Sequence, residues 1–214
     1  MRTSFGQDIA GVAAGLGNDQ IHIWRLRYDK AQRREPLLAL LGVYLGMPAA
    51  AVRLVEGEHG RPELADPAQA WLRFNWSHSG DGALVALARG TAPGVDIERL
   101  RPRARAMQIA ERFFHPMETA ALAALDAGER ERAFLCLWTG KEAVLKAMGC
   151  GIAFGLDRLQ LAVAPAAPRV LALQGDDPLQ WQLHAVQAGT GYVASVAWRG
   201  PERAVVYGTL ADSP

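Results

Sequence analysis

Three acids, two lysines and a Ser-His-Ser triplet carry the chemistry that this sequence can support. Lys141, Glu142 and Lys146 interrupt a run over 133–148 in which the other positions are almost all apolar, and Gly149 and Gly151 follow it. In a helix of about 3.6 residues per turn, Trp138, Glu142 and Lys146 share one face. A solvated Glu-Lys pair at that spacing contributes only about 0.2–0.5 kcal/mol. Within an apolar helix the same pair carries a desolvation cost of roughly several kcal/mol unless metal, phosphate or protein groups compensate, so the face reads as the wall of a cleft. Gly94-Val95-Asp96-Ile97-Glu98 supplies two more acids. Strand side chains alternate, which puts Asp96 and Glu98 on one face and Val95 and Ile97 on the other. Such a face is either solvated or holds a cation between its carboxylates. With Glu142, these acids form an all-oxygen donor set suited to Mg²⁺ or Mn²⁺, and a Mg²⁺ site of few carboxylates completes its shell with water and substrate phosphates. Ser77, His78 and Ser79 at a strand end offer hydroxyl and imidazole groups, and Arg61 and Lys146 add positive charge. Ser77 and His78 do not make a hydrolase pair, because neighbours in a strand point to opposite faces. Nor is there a Walker loop, a Gly-x-Ser-x-Gly elbow or a dinucleotide fingerprint after a strand.

The elements that must position these groups alternate along the chain. A strand is expected at 21–28 and a helix at 37–45 after Pro36, with Lys30, Arg33 and Arg34 forming either a solvated turn or a phosphate contact between them. A short strand at 52–55 leads into the turn Glu58-His59-Gly60-Arg61-Pro62. Segments 72–80, 83–88 and 94–98 then read as a three-stranded meander joined by Asp81-Gly82 and a Gly-Pro turn. Arg99, Arg101, Arg103 and Arg105 follow, then a helix to Phe114, and a second helix starting at His115-Pro116 and running to about 127. After the apolar helix the chain is rich in strand signals, at 159–163, 170–173, 181–186, 192–198 and 204–207. Segment 72–98 is like 181–207 in pattern, though not in residue identity. The expected fold is therefore α+β: two similar α/β lobes related by pseudo-two-fold symmetry, residues 1–105 and 106–214. Each lobe is a small antiparallel sheet with packed helices, and the active site lies in the cleft between them.

The bulk properties exclude several classes of function. With 214 residues, half of them apolar and 21% charged, the chain can bury a full core. A net charge of +1 supplies no field for nucleic acid or an anionic membrane, so neither is expected as a partner. Cys136 and Cys150 would lie roughly 20 Å apart along a helix, too far for a disulfide, and unpaired thiols suit a reducing compartment. The small apolar run at 9–17 follows Asp8, with only Arg2 basic before it, and no run reaches the ~18 apolar residues of a membrane helix. A soluble cytoplasmic protein is expected.

The order and spacing of these residues resemble the 4′-phosphopantetheinyl transferases, specifically the double-length, monomeric type that activates peptide and polyketide synthases. The resemblance rests on Gly60-Arg61-Pro62, on Phe74-Asn75-Trp76-Ser77-His78-Ser79 and on Gly94-Val95-Asp96-Ile97-Glu98. Arg112-Phe113-Phe114 and the run from Trp138 through Lys141-Glu142 to Lys146 complete it. It implies transfer of the phosphopantetheine arm of coenzyme A to a serine of an apo acyl, peptidyl or aryl carrier protein, releasing adenosine 3′,5′-bisphosphate. It also implies Asp96, Glu98 and Glu142 as Mg²⁺ ligands, and Arg61, Ser77 and His78, with Lys141 and Arg34, as coenzyme A contacts. Lys146 would stand beside the diphosphate, and Glu142 would accept the proton of the serine. Trp76 replaces a more usual aliphatic residue, and Arg61 a common lysine. A binding protein without turnover, or a Mg²⁺-dependent phosphodiester or pyrophosphate hydrolase, would use the same acids. The arginines after Glu98 are candidates for steering an acidic carrier protein.

Overall fold

The computed structural model describes residues 9–210, so Arg2 and Asp8 of the N-terminal reading lie outside the described residues. Helix α1 (Ile9–Ala14) precedes strand β1 (Gln20–Arg27). Helix α2 (Glu35–Leu45) carries proline in its first turn and ends at Gly46, whose φ of 66° lies in the left-handed region that glycine tolerates. A small hairpin, β2 (Leu54–Glu56) and β3 (Pro62–Leu64), leads into β4 (Leu72–Ser79), β5 (Gly82–Arg89) and β6 (Gly94–Arg99). Three helices follow: α3 (Ala106–Phe113), α4 (Pro116–Ala123) and the long α5 (Ala127–Met148). A second hairpin, β7 (Leu159–Leu161) and β8 (Val170–Leu173), precedes β9 (Trp181–Ala185), β10 (Tyr192–Arg199) and β11 (Ala204–Thr209).

The strands form two principal sheets, ordered β11-β1-β5-β4 and β6-β10-β9. All their pairs are antiparallel except β1 with β11. The architecture is α+β, with small, mostly antiparallel sheets and helices packed on them. One expectation is corrected. Strand β6 does not extend the meander of β4 and β5; it pairs with β10, placing Asp96 opposite Ser195. Reciprocally, β11 leaves β9 and β10 to pair with β1. The third strand of each meander thus joins the sheet built by the other half of the chain.

Side-chain alternation explains why these sheets stack. Ile21, Ile23, Leu84, Ala86 and Ala88 from one sheet meet Val95, Ile97, Val196 and Trp198 from the other in a single buried cluster. The opposite face of the first sheet, with Trp24, Leu26, Phe74 and Val85, is covered by Leu37, Leu40 and Leu41 of α2. The opposite face of the second, with Leu183, Val193 and Ala197, is covered by α5 through Leu137, Val144 and their neighbours. The layers therefore run helix, sheet, sheet, helix, and Asp96 and Glu98 stand on the α5 side.

Beneath α2 lies a buried polar trio. The Tyr44 hydroxyl accepts from Trp24 Nε1 at 2.7 Å and lies 2.8 Å from His22 Nδ1, while His22 Nε2 is 2.9 Å from Gln20 Oε1. Since Tyr44 accepts from Trp24, its own proton goes to His22 Nδ1, which fixes a neutral ring protonated at Nε2. Burial holds the His22 pKa down at about 4. The unfolded chain takes up a proton near the ordinary value of 6.5 and the folded one does not, so this stability is full above that value and is lost as pH falls towards 4. Thermal melts followed by circular dichroism should show His22→Gln with a shallower decline than the parent across this window. Identical slopes would remove His22 as a source of acid sensitivity.

Candidate active site

The site is built where the edge strands of the two sheets abut. Strands β4 and β6 do not pair through their backbones in a regular ladder. Instead, alternate side chains of β4 step along β6. Asn75 Oδ1 accepts from the Val95 amide at 2.9 Å, Ser77 Oγ donates to Asp96 Oδ1 at 2.7 Å, and Ser79 Oγ donates to Glu98 Oε2 at 2.8 Å. Helix α5 crosses this seam so closely that a Cβ at Gly94 would run into the Ala143 carbonyl and the Ala147 amide. Glycine at the start of the acidic strand is thus what lets Glu142 and Lys146 approach Asp96.

Lys146 reaches across the seam. Its Nζ donates to Asp96 Oδ1 at 2.7 Å, to Ser77 Oγ at 3.1 Å and to the Val95 carbonyl at 3.2 Å. Asp96 Oδ2 and Glu142 Oε1 are buried with no hydrogen-bond partner. Burial raises the Asp96 pKa, opposed by Lys146 and Ser77, and the Glu98 charge raises it further. Burial likewise raises that of Glu142, with Lys146 opposing and Asp96 and Glu98 adding to the rise. Each of these two acids feels the other carboxylates, and each presents an oxygen that nothing in the protein satisfies. Such a cluster favours a cation bound by oxygen, beside an ammonium able to meet an anionic ligand.

The sequence profile of the 4′-phosphopantetheinyl transferase superfamily matches residues 92–197, from the turn before β6 into β10. The 4′-phosphopantetheinyl transferase HetI of Nostoc sp. is 34% identical over 196 residues, covering 88% of this chain and 81% of that protein. The chain belongs to the 4′-phosphopantetheinyl transferase superfamily. Similarity extends to AcpT of Escherichia coli (34% identical, 58% of this chain) and to Sfp of Bacillus subtilis (36% identical, 50% of this chain). The matches span 63% and 45% of those two proteins.

Not every residue singled out in the transferase sequence joins this cluster. Ser77 does, through Asp96 and Lys146. His78 projects from the other face of β4, where its ring stacks on Tyr28 at 3.8 Å with Trp76 beside it. Partial burial lowers its pKa, as do the charges of Lys146 and Lys30. Lys30, expected in either a solvated turn or a phosphate contact, therefore lies within electrostatic reach of His78. Arg34 is exposed at the start of α2, and no side-chain bond ties it to the cluster.

Two further cations singled out in the sequence are held by protein groups. Lys141 is fully buried against Glu118, with Nζ 2.7 Å from Oε2, on the core side of α5, and leaves no exposed surface for coenzyme A. Adjacent helical residues lie about 100° apart, so Glu142 can line the cleft while Lys141 cannot. The guanidinium of Arg61 donates to the carbonyls of Lys146, Phe74 and Pro93. Trp138 also turns inward, ring to ring with Phe134 and Phe114. Arg103, considered above for steering a carrier protein, instead places Nη2 2.7 Å from Glu98 Oε2, while its amide donates to Glu131. Glu118 escaped the sequence reading as a partner. Its signal was the capping box of α4, in which it accepts from the His115 amide at 3.0 Å.

Proposed function

We propose that this transferase moves the 4′-phosphopantetheine group of coenzyme A onto a serine of an apo carrier protein at the seam of β4, β6 and α5, releasing adenosine 3′,5′-bisphosphate. The observation that carries the reading is the convergence of Lys146, Ser77 and Asp96 beside the unsatisfied oxygens of Asp96 and Glu142. These hard oxygens fit Mg²⁺, or Mn²⁺ in its place, with Asp96 and Glu142 as principal ligands. Glu98, already engaged by Ser79 and Arg103, is the weaker third member. Among the described residues, no three His, Cys, Asp or Glu side chains are gathered tightly enough to form a cation cage. A Mg²⁺ here would have to take much of its shell from water and substrate phosphates. When bound, the ion would neutralise charge on the diphosphate.

The chain's own groups divide the remaining work. The serine oxygen attacks the phosphorus bearing the pantetheine arm, and the bond from that phosphorus to the oxygen bridging the diphosphate breaks. The Glu142 carboxylate takes the serine proton. Lys146 stabilises the negative charge that develops on the departing adenosine bisphosphate. Ser77 holds Asp96 and Lys146 together, while Lys30 offers a charge and His78 an imidazole N–H for a nucleotide phosphate. Positioning and charge neutralisation are the principal means available for such a transfer.

We also take the protein to act as a cytoplasmic monomer with neither nucleic acid nor membrane as partner. The near-zero net charge and the free Cys136 and Cys150 support this, as does the lack, among the described residues, of any helix long and apolar enough to cross a membrane. Incubation with coenzyme A and a panel of apo carrier proteins, read by mass spectrometry, tests the reaction. One or more carriers should gain the arm. EDTA should abolish the gain, Mg²⁺ or Mn²⁺ should restore it, and Asp96→Asn should lose metal-dependent transfer while remaining folded. Coenzyme A cleaved without transfer would make the protein a hydrolase; neither product would leave a binding protein.

A further inference from the structure

We infer that Arg61 is a positioning residue, locking together the backbones of the three elements that supply the site, and not a contact to coenzyme A; the inference rests on the assignment of Asp96 and Lys146 to that site. Arg61 follows Gly60, whose φ of 74° turns the chain so that the arginine enters the seam from outside both principal sheets. Nη1 donates to the Lys146 carbonyl at 2.6 Å, and Nη2 donates to the Phe74 carbonyl at 3.0 Å and the Pro93 carbonyl at 3.4 Å. Phe74 lies on β4, in the same strand as Ser77. Pro93 lies in the turn that enters β6, the strand of Asp96. Lys146 is the residue whose ammonium binds both Ser77 and Asp96. One half-buried planar group therefore holds the main chains whose side chains meet a few ångströms away.

The carbonyl of Lys146 has a reason to need such a partner. It belongs to the last turn of α5, where no regular i+4 amide is available. The Cys150 amide turns back to the Leu145 carbonyl at 3.3 Å, and Gly149 gives Lys146 only a long bond of 3.2 Å that it shares with Leu145. A guanidinium at a helix C-terminus also meets the negative end of the helix dipole. Arginine suits the task because its fork offers donors fixed in one plane towards carbonyls arriving from different directions. A lysine ammonium has the same charge but is a compact point that cannot span three segments. With Arg61 absent, α5 remains packed on the second sheet, but its last turn loses the tie that sets the Lys146 side chain against β4 and β6.

Arg61→Lys and Arg61→Met distinguish this role from phosphate binding. Both variants should retain coenzyme A affinity within about two-fold by calorimetry, yet lose turnover by about 10- to 100-fold, as expected when reacting groups are displaced by an ångström or so. Hydrogen exchange should accelerate in peptides covering residues 145–150 in both. If Arg61→Met does not fold, Arg61→Lys carries the test alone. Full turnover in Arg61→Lys would overturn the inference, as would a ten-fold or greater loss of coenzyme A affinity with unchanged exchange. Exchange and affinity are read without turnover, so the lock is tested separately from the reaction. Were Lys146→Ala to transfer normally while the Arg61 variants still loosened residues 145–150, the site assignment would fall and the lock would stand.

Discussion

Lys146→Ala is expected to lower the turnover of phosphopantetheine transfer on the order of 10²-fold or more, with a much smaller change in KM for coenzyme A. The ammonium lies in the seam and reaches Ser77, the Val95 carbonyl and Asp96 at 3.1, 3.2 and 2.7 Å. Charge on the departing phosphate grows mainly in the transition state, so a cation placed there acts on kcat more than on binding. The variant has a second consequence. Asp96, with its side chain only 8% exposed, would keep the Ser77 hydroxyl but lose the cation that opposes its rise in pKa. Lys146→Arg should recover only part of the activity, because a planar fork does not reproduce a point charge. His78→Ala should show the opposite pattern, acting on coenzyme A affinity more than on turnover. Steady-state kinetics with both substrates varied would read the difference. A Lys146→Ala variant with parental kcat and a raised KM would move this residue from the reacting atoms to the binding surface.

How much of this was legible beforehand depended on whether the cause was local. The alternation of Val95, Asp96, Ile97 and Glu98 fixed the faces of β6, since period two is a property of the strand itself. Glu142 and Lys146 were readable as a pair because four residues return to one side of a helix. The partner strand of β6 was not readable. Val95 and Ile97 would suit burial beside β5 or between two sheets, and the choice is made by β10, about a hundred residues away. The protein partners of Arg61 and Lys141 were not readable for a related reason. A cation in a motif suggests an anionic ligand, but Arg61 is satisfied by backbone carbonyls and Lys141 by an acid on another helix, neither of which leaves a pattern near it in the chain. The strand exchange of β6 and β11 also could not be inferred from the similar spacing of segments 72–98 and 181–207, which concerns each half by itself.

Disrupting the Lys141–Glu118 pair should destabilise the protein by about 3–5 kcal/mol, the range expected when one partner of a buried ion pair is removed. Both side chains are essentially inaccessible, at 0% and 1% exposure, and each is saturated. Lys141 Nζ also donates to the carbonyls of Leu156, at 2.8 Å, and Leu159. Glu118 Oε1 accepts from the Leu161 amide at 2.7 Å, and its Oε2 accepts from His115 at 3.0 Å. The pair thus joins α4, α5 and the segment leading into β7 through charges that have no other outlet. Lys141→Met removes the cation and strands a buried carboxylate together with two unpaired carbonyls; Glu118→Ala strands the ammonium and two amides. Denaturant midpoints should fall sharply for each, and the double variant should lose less than the sum, because neither charge is then left alone. Coenzyme A affinity of the folded fraction should remain at the parental value, since the ammonium faces the core and not the seam. A Lys141→Met variant of parental stability but weakened coenzyme A binding would return this lysine to the cleft, and would mean that α5 is rotated about its axis from the orientation described.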